Sequence, residues 1–78
     1  MSQPAREGSE MTAVEWIQSF CREIGVPAPD EDTTEAILRL ASVAAHASER
    51  KAAPVACWIA GTTGRPLDEL IAVAEAVE

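Results

Sequence analysis

The chain reads as all-α: a compact bundle of four helices, the third one short, with a flexible N-terminal tail. Three observations predict it. Apolar residues recur at helical spacing in four separate segments. Those segments are bounded by capping residues, glycines and helix-opening prolines. No segment shows the sustained alternation and β-branched enrichment that a strand requires. Fifteen of the 78 residues are alanine, the strongest intrinsic helix former.

Residues 1–11 lack apolar periodicity and carry Pro4, Gly8 and several charges, which predicts a disordered tail ahead of a single helical domain over 12–78. Thr12 and Glu15 have the spacing of a capping box. The helix they open places Val14, Ile17, Phe20, Cys21 and Ile24 on one stripe, and Gly25 ends it. Pro27 and Pro29 then forbid continuation through 26–30.

The second helix is expected from Asp32 or Thr33 to about Ser48. Apolar residues cover over half its circumference, which predicts a central helix contacted on several sides. A narrow polar strip remains: Glu35, Arg39, Ser42, His46 and Glu49. Pro54 fits the first position of a short third helix, Val55 to Ala60, stopped by Gly61. Residues 62–65 read as a turn. Pro66 opens the last helix, whose stripe runs through Leu67, Leu70, Ile71, Val73, Ala74 and Val77.

Composition excludes several functions. The formal net charge is −7, which argues against nucleic acid and against anionic membrane surfaces. No apolar run approaches the roughly 20 residues of a membrane span, and the N-terminus lacks a signal-type apolar segment, so a cytoplasmic protein is expected. Cys21 and Cys57 stand far apart and read as reduced core thiols. One histidine and two isolated cysteines give no metal-ligand spacing, and no cofactor motif is present. Length and charge are also those of an acyl carrier, but the Asp-Ser-Leu attachment site is absent, residues 30–34 reading Asp-Glu-Asp-Thr-Thr. A core of about 65 residues is small, and self-association, as a weak homodimer, is an inexpensive way to bury more.

The unusual stretch runs from His46 to Gly61. His46 reads as a structural helix-end residue or as a binding residue, and it has no partner set for catalysis beyond Ser42 and Glu49. Four of the six cations, Arg39, Arg50, Lys51 and Arg65, lie between 39 and 65. They read either as surface ion pairs with neighbouring carboxylates or as a contact surface. Arg50 and Lys51 precede a helix N-terminus, where amides and dipole favour a phosphate or carboxylate. The turn at Gly61 to Arg65 offers a second such terminus, without the sequence of a phosphate-binding loop. Trp16 and Trp58 read as core or core-edge filling, or as binding anchors.

Leu40-Ala41, Ala45-His46, Arg50, Ala53-Pro54 and Gly61, preceded by Trp16-Ile17, resemble a small actinobacterial all-helical domain of unknown function. That domain occurs alone and as an appendage of nucleotidyltransferases similar to those making molybdopterin guanine dinucleotide. The resemblance spans about residues 12–74. Lys51, Ala56 and Cys57 depart from it, where the family tends to have proline and threonines. It implies a helical accessory module and supplies no reaction.

The expected function is therefore a non-enzymatic helical interaction module, whose company is molybdenum-cofactor nucleotidyl transfer and whose partner is another protein. Arg39, His46, Arg50, Lys51 and Trp58 form the expected contact surface. The alternative is a small-anion or nucleotide-binding domain built on the Arg50/Lys51 helix start.

Overall fold

A computed structural model describes residues 11–77, and the tail expected over 1–11 lies, Met11 apart, outside the described residues. The described chain forms four helices and no strand: α1 (Ala13–Ile24), α2 (Glu31–Ala47), α3 (Ala52–Thr63) and α4 (Leu67–Ala76). The all-α, four-helix architecture stands as the sequence predicts.

Local chemistry sets the boundaries. At α1 the Glu15 amide donates to Thr12 Oγ1 at 3.1 Å and the Thr12 amide to Glu15 Oε1 at 3.0 Å, a reciprocal capping box. Gly25 closes the helix at φ 78°, a left-handed conformation that only glycine adopts cheaply. The second helix begins earlier than Asp32. Asp30 is its cap, Oδ1 accepting from the Thr33 amide at 2.8 Å, and this puts Glu31 and Asp32 in the first turn, where carboxylates oppose the helix dipole.

The third helix departs most from expectation. It is 12 residues long, as long as α1, and Gly61 lies inside it. The Ala52 and Ala53 amides bond the Glu49 and Arg50 carbonyls, so the helix starts two residues before Pro54. Pro54 is accommodated in the first turn, where its missing N–H would find no helical partner. At the other end Thr62 Oγ1 donates to the Ile59 carbonyl at 2.7 Å and Thr63 Oγ1 to Ala60 at 2.8 Å. The helix runs past Gly61 to Gly64, which takes the left-handed stop at φ 71°.

Packing is organised around α2, which carries the extensive contacts of the bundle, one side on α3 and another on α4. Its central position is as expected. Leu40 on α2 and Ile71 on α4 are the most buried side chains, 4% and 5% exposed, and Cys21 is the third buried residue. Half-buried alanines on α2 and α3 let the backbones approach closely. The Cys57 thiol of α3 reaches the Ile37 carbonyl of α2 at 3.7 Å.

The apolar stripe of α1 does not follow this pattern. Only Cys21 is buried and Ile17 half-buried, while Val14, Phe20 and Ile24 are exposed. Neither tryptophan fills the core: Trp16 is 56% exposed and Trp58 72%. Small residues dominate where α2 and α3 meet, and both indoles lie outside that contact. Trp16 instead stacks on Phe20 of its own helix, centroids 5.1 Å apart.

Two expected outcomes test these boundaries. Gly64→Ala should cost roughly 1 kcal/mol, because alanine is strained at positive φ. Gly61→Ala should gain up to about 1 kcal/mol, as a helix-interior glycine with open space around its Cβ position. Urea melts of the two variants should move in opposite directions, and a destabilised Gly61→Ala would return the helix stop to residue 61. The Thr33 amide, and then its hydroxyl, hold the Asp30 carboxyl below the usual value of 3.8. A carboxyl depressed on folding stabilises above its unfolded pKa, and that contribution disappears as pH falls through the folded value. Asp30→Asn, which can still cap, should flatten this part of the acid limb in stability measured against pH.

Candidate functional site

The expected contact residues fall into three places. Arg39 and His46 stand on one side of α2. Arg39 Nη2 bridges to Glu75 Oε2 of α4 at 3.4 Å, with Asp68 also lining the shallow notch beside it. His46 Nδ1 lies 3.2 Å from Ser42 Oγ, one turn back on the same helix, and both are exposed. Two carboxylates beside the guanidinium make that notch unfavourable for an anion. The Ser42–His46 pair shows no third hydrogen-bonded group among the described residues and no enclosing pocket, so the geometry derives no reaction from it.

Arg50 and Lys51 form the second place, the connection into α3. Lys51 Nζ lies 3.9 Å from Glu49 Oε1, an exposed pair that contributes little. No ion pair involves Arg50 among the described residues. The amides expected to cradle an anion are committed elsewhere. Those of Ala52 and Ala53 bond the Glu49 and Arg50 carbonyls, and Pro54 has none. What remains there is two side-chain cations without the helix-terminal donors. At the second terminus, Arg65 pairs with Glu69 one turn into α4, and its amide donates to Thr63 Oγ1 at 3.1 Å.

Trp58 is the third place. Taking about 100° per residue, it lies roughly 150° from the α3 line of Ala53, Ala56, Cys57 and Ala60 that is half-buried beside α2. It therefore stands apart from Arg39 and His46. Its neighbours on that outer face are Val55 and Ile59, both more than half exposed. Composition signals this face. The 12 residues of α3 include no charged side chain, in a protein where 24% of residues are charged. An apolar helix covered on one side only presents the other as a surface for association.

Both cysteines are free, Cys21 buried and Cys57 half-buried. No three metal-binding side chains cluster among the described residues, and no described helix is long and apolar enough to cross a membrane.

Residues 8–78 match the family model described as a domain of unknown function, DUF6457. No curated protein and no solved structure matches the chain.

Burial pushes the Cys57 thiol above its usual 9.0, and its sulfur is engaged with Ile37. Less thiolate and less access both slow alkylation. Mass-spectrometric rates with iodoacetamide should be several-fold lower for Cys57 in the folded chain than in urea. Equal rates would mean that α3 does not hold this face against α2.

Proposed function

Because the chain belongs to the DUF6457 family, a domain of unknown function, we propose that it is a protein-interaction module working through the outer face of α3. The observation that supports this is the uncharged helix itself, with Val55, Trp58 and Ile59 presented to solvent. Tryptophan is the residue most enriched at binding hot spots, and an apolar centre with a charged rim is the anatomy of a specific interface. Arg50 and Lys51, at the start of the same helix, supply that rim. The fitting partner is a protein with a pocket for an indole and carboxylates at its edge.

Arg39 and His46 are left out of this surface, since each is engaged on the α2 side. The resemblance to domains appended to molybdopterin-guanine-dinucleotide-type nucleotidyltransferases names the partner to try first, as an accessory to nucleotidyl transfer.

Trp58→Ala should leave stability within about 0.5 kcal/mol of wild type, as an exposed position does. It should weaken partner binding by about 2 kcal/mol or more. The measurement is capture from native lysate beside titration with a purified nucleotidyltransferase of that type, and Arg39→Ala serves as the control variant. Partners held equally by wild type and Trp58→Ala would overturn the face, and a wild type that holds no protein would overturn the function.

A further inference from the structure

The α3 and α4 helices lie antiparallel on α2 without packing extensively on each other, and the space between them is an apolar groove. Its floor is Leu40, Ala44 and Ala47, residues at one-face spacing along α2. On the α3 side it is lined by Ala52, Ala56 and Ile59, and on the α4 side by Leu70, Val73 and Ala74. No residue of α1 lines it. Three helices of a four-helix bundle are thus in place, and the fourth position is open.

The same chain carries a helix that fits. The α1 stripe from Val14 to Ile24 spans about 15 Å at 1.5 Å per residue, close to the length of the α3 wall. Size is complementary as well: the groove is lined largely by alanine, whereas α1 presents Trp16, Phe20 and Ile24. Large side chains of one helix entering the small-residue gaps of others is how close-packed bundles are filled.

We infer that α1 of a second copy occupies this groove, and that two copies exchange their first helices reciprocally. The connection to α2 favours exchange over folding back. Gly25 is fixed in its left-handed stop, the Val26 amide is bonded to the Cys21 carbonyl, Pro27 and Pro29 hold fixed φ, and Asp30 is committed as a cap. A hinge whose dihedrals are fixed in this way leaves α1 little slack to fold back into the groove of its own chain. The half-exposed apolar side chains of α1 present roughly 400 Å² and the groove lining about half of that, so two reciprocal contacts remove on the order of 1,200 Å², the lower end of the standard interface size. Trp58 lies outside the groove, and Ile59 borders both the groove and the face proposed for a partner protein.

The test is sedimentation of the full chain across a concentration series. Wild type should move from the mass of one chain to that of two. Phe20→Glu on α1 and Val73→Glu on the groove wall alter exposed residues, and circular dichroism should show both still helical. Each should raise the dissociation constant by roughly tenfold or more. An equimolar mixture of the two variants should associate more tightly than either alone, because one of its two contacts joins an unaltered α1 to an unaltered groove. A wild type that stays monomeric overturns the inference, whether its own α1 or another protein covers the groove. A mixture no tighter than its components overturns the reciprocal exchange.

Discussion

The close seating of α3 and α4 on α2 is the constraint on which the rest of the molecule depends. Extensive helix–helix packing among the described residues runs through that helix. Alanines at 36, 41, 44 and 45 allow the approach, and Leu40 supplies most of the bulk. Small residues bring backbones near but remove little apolar area per position. The packing is therefore close yet thin, and among the described residues no large side chain is wholly enclosed.

From this follows the distribution of the large apolar residues. The contacts built on alanine enclose no indole or phenyl ring among the described residues, and Trp16, Phe20 and Trp58 are carried on outer faces. Two such faces result, one along α1 and one along α3, and they differ in kind. The α1 face is half of an amphipathic helix whose other side carries Glu15 and Arg22, with Glu23 bordering the apolar face beside Trp16 and Phe20. The α3 face belongs to a helix with no charge at all. The first has a complementary groove within the same sequence, and the second has none, which is why the two are assigned different occupants.

Most of the fold was legible in the sequence because its signals are local. Thr12 with Glu15, and Gly25, mark the ends of α1 without reference to anything distant, and the breadth of the α2 apolar surface foretold its central place. The extent of α3 was not legible from Pro54 and Gly61. Pro54 is compatible with a first turn and Gly61 with a helix interior as well as with a boundary, and the left-handed stop falls at Gly64 instead. The position of α1 was less legible still. Periodicity states which side of a helix is apolar, not what covers it, so Val14, Phe20 and Ile24 read as core when they are exposed. For the contact residues, nearness in sequence and residue type, not a shared helix face, joined Trp58 to Arg39 and His46. The rotation between α2 and α3 separates them, and the bond from Ala53 to Arg50 removes the open amide that an anion would have used.

The two exposed tryptophans also determine what light can report about this protein. An indole already surrounded by water emits at nearly the wavelength it shows in an unfolded chain. Tryptophan emission therefore reports unfolding of the single chain mainly through the unstacking of Trp16 from Phe20, and far-ultraviolet dichroism follows it more directly. The same exposure turns the two side chains into clean markers of association. Any blue shift on raising the concentration, or on adding a second protein, comes from an indole leaving water at a contact between molecules.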